Sequence, residues 1–119
     1  SSVEENTFNL ANIYSVIKQH LPNAKVVFTL SPIPLVATFR NQSCVTANSI
    51  SKSILRVALD NVMTKYIENK DIFYFPSYEI VTQFLIDPFK TDNRHLKDEY
   101  ILLIMELFEK NYCNNDLTN

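Results

Sequence analysis

The 119 residues contain no glycine, where average usage is about 7%. Glycine lets a backbone take φ > 0 at low cost and lets it approach a ligand closely. A chain without it has no P-loop, no G-x-G-x-x-G dinucleotide turn and no G-x-S-x-G nucleophile elbow. The sequence therefore argues against a phosphate cradle and against a self-contained serine-hydrolase nucleophile loop.

What the chain does contain is ordinary for a globular protein. Its length suits one domain, and 46% apolar residues are enough for a core. The net charge of −2 and the absence of a basic run speak against nucleic acid as the main partner. No apolar stretch is long enough to span a bilayer. Residues 1–6 are polar and acidic, unlike a signal peptide, although an export signal upstream of Ser1 stays open. Cys44 and Cys113 lack metal-ligand spacing and are too few for a disulfide framework. They read as free thiols in a reducing compartment, so a cytoplasmic protein is expected.

Periodicity divides the chain into alternating elements. Leu10, Ile13, Tyr14, Ile17 and Leu21 recur at spacings of three and four, which predicts a helix over residues 6–20 that Pro22 ends. Residues 24–30 are short, β-branched and nearly all apolar, the pattern of a strand covered on both faces. Pro32 and Pro34 stop it. Residues 35–47 read as irregular. Asn48-Ser49 offers an N-cap for a helix over 50–66, with Ile54, Leu55, Ala58, Leu59, Val62, Met63 and Tyr66 on its apolar side. Residues 71–75 form a second apolar strand, ended by Pro76. A short helix is expected over 78–85 and a polar loop over 87–96. Asp98 is the expected cap of a last helix with Ile101, Ile104, Met105 and Phe108 facing inward. Residues 111–119 read as a frayed polar tail.

The order α-β-α-β-α predicts an α/β fold with parallel strands and a right-handed crossover. Two parallel strands alone leave two apolar edges. Residues 1–119 are thus expected to be a single, partial domain, whose sheet needs missing N-terminal strands or a second chain to complete it.

Four stretches then fall in a telling order. They are Ser31-Pro32-Ile33-Pro34-Leu35, Ala47-Asn48-Ser49-Ile50-Ser51-Lys52-Ser53-Ile54-Leu55-Arg56, Tyr74-Phe75-Pro76-Ser77-Tyr78-Glu79 and Asp92-Asn93-Arg94-His95. From about Leu10 to Phe108 the chain resembles the C-terminal half of the GSCFA domain, a family similar to the SGNH/GDSL hydrolases. The resemblance implies part of a three-layer α/β/α, flavodoxin-like fold. It also implies a hydrolase acting on ester or acyl groups, with no cofactor and no metal. The family's naming block, Gly-Ser-Cys-Phe-Ala, is absent from these residues. In the related hydrolases that block supplies the nucleophile and an oxyanion-hole donor, so this chain alone is expected to be inactive. Whether Ser or Cys attacks in the family stays open, because the block holds both.

Within this resemblance Asp92 and His95 match the Asp-x-x-His block of the SGNH hydrolases. Residues three apart on a tight loop or at a helix start can face each other. Asp92 would accept from Nδ1–H and leave Nε2 free to take a proton from a nucleophile. An imidazole with an ordinary pKa of about 6.5 suits general-base work near neutrality. Arg94 would steer an anionic substrate, or else be a surface charge or a partner for Asp92. Lys52 and Arg56 share a helix face, for a pocket, for structural pairing or for plain solvation. Glu79 follows a strand's carboxyl end, where open α/β sheets place ligands; a salt bridge to Arg56 or Lys52 is the alternative. Ser31 also follows a strand end, but without a glycine turn it reads as a loop residue near the site and not as a nucleophile. Ser43-Cys44 is a chance echo of the family's name, and His20 complements a helix end. His20 and His95 do not make a metal site.

Three functions are expected on these grounds. One is a hydrolase segment acting on a small-molecule or glycan ester. The second is a non-catalytic α/β interaction module. The third is an acyltransferase of the same family.

Overall fold

Ser2 starts the first helix. Its Oγ accepts the Glu5 N–H at 3.0 Å, Glu4 and Glu5 lie in the first turn, and Lys18 and His20 in the last. This arrangement complements the helix dipole at both ends. The structure is a computed structural model and describes residues 2–34, 44–92 and 95–113. In chain order these form α1 (Val3–His20), β1 (Val26–Thr29), α2 (Cys44–Lys65), β2 (Ile72–Phe75), α3 (Ser77–Glu79) and α4 (Asp98–Tyr112). A π-helical turn, Ile80–Phe84, continues α3.

The elements form two compact units. The first comprises Ser1–Leu30 and Leu35–Pro76, the second Ser31–Pro34 and Ser77–Asn119. In the first unit β1 and β2 pair in parallel, with Val26 against Ile72 and Thr29 against Phe75. The chain thus combines helices with a parallel strand pair, as an α/β protein does. α1 packs on α2, and Ala11, Tyr14, Val26, Val62 and Ile72 form the core, with Leu10, Ile17, Phe28, Met63 and Tyr66 against it. The predicted apolar face of α2 is the packed one, since Ala58, Leu59 and Val62 are buried.

Several expectations are corrected. α1 begins three residues early, because Ser2 supplies the cap. Its stripe is rotated: Ala11 is buried, while Ile13 and Leu21 are exposed. α2 begins at Cys44, not at residue 50, so residues 44–47 are helical where an irregular segment is expected. The rest of that segment, residues 35–43, lies outside the described residues, as does 114–119 of the expected tail; Asn111 and Tyr112 belong to α4. The cap of α4 is Lys97, and Asp98 is its first helical residue. No residue of α4 is buried, and Ile101 and Met105 are exposed.

A carboxylate holds the first unit together at the start of its strands. Asp71 accepts from the buried Tyr14 hydroxyl and pairs with Lys18 at 2.5 Å. Its backbone carbonyl takes the Val26 N–H at 2.7 Å. Lys18 also donates to the Pro22 and Ala24 carbonyls, at 2.6 and 2.8 Å, and Asn69 donates to the Tyr14 hydroxyl at 3.0 Å. The Lys18 and Tyr14 hydrogen bonds hold the Asp71 carboxyl below its ordinary 3.8. Burial, with the bond to Asp71, pushes the Tyr14 phenol above 10.0.

A carboxyl group depressed by folding stabilises the fold above its unfolded pKa, and this contribution fades as pH falls through the folded value. Thermal unfolding followed across pH is therefore expected to show a falling melting temperature below about pH 3.8. Asp71→Asn should melt lower at neutral pH and lose much of that acid dependence. An acid limb identical to wild type would remove Asp71 as its source.

Candidate active site

Residues 87–92 and 95–97 are polar but not irregular. Phe89 and Leu96 form an isolated antiparallel bridge, flanked by Lys90 N–H to the His95 carbonyl at 2.7 Å and Lys97 N–H to the Pro88 carbonyl at 2.8 Å. The segment is thus a short hairpin where a loop is expected. Leu96 is buried and anchors it. Lys90 and His95 thus stand opposite each other across the hairpin, next to that bridge.

Asp92 and His95 meet at the tip of this hairpin. Asp92 Oδ2 lies 2.6 Å from His95 Nδ1, and Oδ1 accepts the His95 backbone N–H at 3.0 Å. One carboxylate thereby fixes both the backbone and the ring of a residue three positions on. A carboxylate only accepts, so the proton of this contact sits on Nδ1. A neutral ring then presents an unprotonated Nε2. The His95 and Asp92 side chains are 57% and 47% exposed, so the pair lies open at the surface and the imidazole is not turned into the core.

Contacts with α4 and its cap hold the hairpin's base. The Tyr100 hydroxyl donates to the Ile86 carbonyl at 2.9 Å. Lys97 pairs with Asp87 and Lys90 with Asp98, each at 3.2 Å. Asp87 has φ 48°, the left-handed region that glycine usually fills. Asp tolerates it better than most residues, and this chain has no glycine to offer.

The other predicted residues divide between the units. Ser31 and Glu79 belong to the second unit with Asp92 and His95. Ser31 Oγ accepts the Ile33 N–H at 3.2 Å, a local turn bond that suits the loop reading. Glu79 closes α3. Lys52 and Arg56 belong to the first unit. Lys52 is buried, not a solvated surface charge, and burial pushes its ammonium below the ordinary lysine range. The Arg56 guanidinium stacks 4.3 Å from the centre of the Tyr74 ring, a cation–π contact. Arg94 lies outside the described residues. Cys113 is an exposed free thiol. Among the described residues no group of three or more His, Cys, Asp or Glu is arranged to hold a metal ion. No described helix is long and apolar enough to cross a membrane.

With the geometry in view, the comparison with known families decides the relationship. The GSCFA family model matches residues 1–108. The chain belongs to the GSCFA family. No curated protein and no solved structure matches it. The match takes in both units of this GSCFA chain and ends within α4, so the hairpin and its pair lie inside the family region.

Two features of this GSCFA protein escape a reading of the sequence. Lys90, Thr91 and Lys97 look like parts of a polar loop, although Phe89 and Leu96 bracket the turn at the spacing of a hairpin. The Tyr14–Asp71 bond joins residues 57 apart, and no local signal announces it.

The Asp92 clamp makes a direct prediction. In the ¹⁵N spectrum of the His95 imidazole, Nδ1 should carry the proton in the neutral ring. Asp92→Ala should shift the tautomer balance toward Nε2–H, with a stability change within about 1 kcal/mol, as for an exposed pair. A ring that already favours Nε2–H in the wild type would contradict the clamp.

Proposed function

We propose that this GSCFA chain supplies the acid–base half of a hydrolase acting on ester or acyl groups. The 2.6 Å contact between His95 Nδ1 and Asp92 Oδ2 carries the reading. It is the geometry by which a carboxylate holds an imidazole in the tautomer that can accept a proton at Nε2. In the proposed reaction His95 takes the proton of a Ser or Cys nucleophile as that atom attacks the acyl carbon. The imidazolium then returns the proton to the leaving alcohol. Water completes a hydrolysis; a second alcohol in its place makes the same machinery an acyltransferase.

The nucleophile is proposed to come from chain outside these residues, since no Gly-Ser-Cys-Phe-Ala block occurs in them. The parallel pair is then one part of a three-layer, flavodoxin-like α/β/α sheet of the SGNH type, completed by that chain. A small-molecule or glycan ester in the cytoplasm is the proposed substrate. Ser31 and Glu79, which belong with His95 to the second unit, are proposed to line or brace its pocket, with Arg94 next to His95 in the sequence. A second reading, a non-catalytic interaction module, draws its support from α4, whose Ile101, Leu102 and Met105 are exposed.

The test is an esterase assay with p-nitrophenyl acetate on a protein in which a Gly-Ser-Cys-Phe-Ala block is joined to these residues. His95→Ala should lower the rate by roughly 10²- to 10⁴-fold, the usual contribution of a general base. Equal rates would end the catalytic reading and leave the interaction module. Residues 1–119 alone should show no turnover above buffer.

A further inference from the structure

A groove of about 550 Å³ lies beside the histidine hairpin, lined by Asp87, Phe89, Lys90, Thr91 and Lys97. Its lining includes two lysines and one aspartate, and with Asp98 beside Lys90 the local charges balance. Lys90 and Lys97 are held at its rim by Asp98 and Asp87, each at 3.2 Å. Those carboxylates are 85% and 82% exposed. Ion pairs this open are weak, so an entering oxyanion can displace them without a large penalty. The remaining nearby carboxylate, Asp92, is already engaged by His95.

The position of the groove matters as much as its charge. The Lys90 N–H bonds the His95 carbonyl, which puts the two residues opposite each other across the hairpin. Opposed residues have Cβ atoms about 5 Å apart. A group bound by the Lys90 ammonium therefore lies within one side chain's reach of the imidazole. The Thr91 hydroxyl adds a donor and the Phe89 ring an apolar wall, the mixture that orients a small ligand.

We infer that this groove is a binding site for an oxyanion group, a carboxylate or a phosphate, carried by the substrate or released with the product, and held by Lys90 and Lys97. The inference rests on the proposed reaction at His95 for its link to a substrate, but the anion site itself does not require that reaction.

Titration of the ¹⁵N-labelled protein with sodium acetate and with sodium phosphate, against sodium chloride at matched ionic strength, tests it. Saturable shifts are expected at the Lys90, Thr91 and Lys97 amides with at least one of the two anions. A response to acetate alone assigns a carboxylate, and a response to phosphate alone assigns a phosphate. The double variant Lys90→Gln/Lys97→Gln should bind at least about tenfold more weakly, a loss of about 1.4 kcal/mol. Lys90→Arg/Lys97→Arg, which keeps the charge, should retain binding and guards against a folding artefact. Shifts no larger than those of chloride, or affinity unchanged in the Gln variant, would overturn the site. His95→Ala separates this proposal from the catalytic one: it should still bind the anion, even if the esterase test shows that His95 has no role in turnover.

Discussion

The start of the parallel strand pair is held by one carboxylate with three attachments. Asp71 reaches Tyr14 and Lys18 on α1 with its side chain and Val26 on β1 with its backbone carbonyl. Lys18 then ties down the turn between α1 and β1 through the Pro22 and Ala24 carbonyls. The strands share only four paired positions, so few ladder bonds specify their register. A slip of one residue would turn Val26 and Ile72 away from the core. The Asp71 network fixes the first pair, and the pleat carries the alternation onward to Phe75. Because Tyr14 is buried, its hydroxyl must be satisfied within the protein, and Asp71 with Asn69 does so. Packing of α1 and register of the strands are therefore one interaction and not two.

Asp92 uses the same chemistry for a different end. Two of the hydrogen bonds it accepts come from a single residue three positions later. The first carboxylate joins distant segments; the second orients one ring. Asp92 and His95 are about half exposed, where solvent screening keeps a charge pair weak. The clamp acts by geometry more than by energy: it selects a tautomer and a ring direction and leaves Nε2 without the proton.

The elements legible in the sequence are those whose signal is local. Both strands stand out as short apolar runs closed by prolines, and the face of α2 emerges from spacings of three and four. Element ends are harder to read. Ser2 is a cap three residues before Glu5, yet the apolar stripe starts only at Leu10, so periodicity alone begins α1 late. α4 has a regular apolar stripe and no buried residue; pattern states which face is apolar, not what covers it. The Asp92–His95 contact is legible because it is local, spanning three residues on a turn. Tyr14 with Asp71 is not, since nothing in either neighbourhood names a partner 57 residues away. Lys52 illustrates an ambiguity of long side chains: its sequence context fits a solvated surface as well as a pocket or structural pairing, and its burial speaks against the solvated surface alone.

The missing glycine, which in the sequence only excludes motifs, has a structural counterpart in the hairpin. Where the chain must turn sharply after Ile86, the left-handed position falls to Asp87. A non-glycine residue there costs backbone energy of roughly 1 kcal/mol or more, and it brings a side chain that glycine lacks. The Asp87 carboxylate reaches Lys97 across the hairpin base, so the residue that makes the turn also closes it. Tyr100 fixes the preceding carbonyl, that of Ile86, and the Phe89–Leu96 bridge fixes the two arms beyond the turn. The segment bearing His95 is thus constrained at its turn, along its ladder and against the first turn of α4. Such constraint suits the general-base role proposed for His95, because a proton is transferred efficiently only when donor and acceptor are held within hydrogen-bond reach.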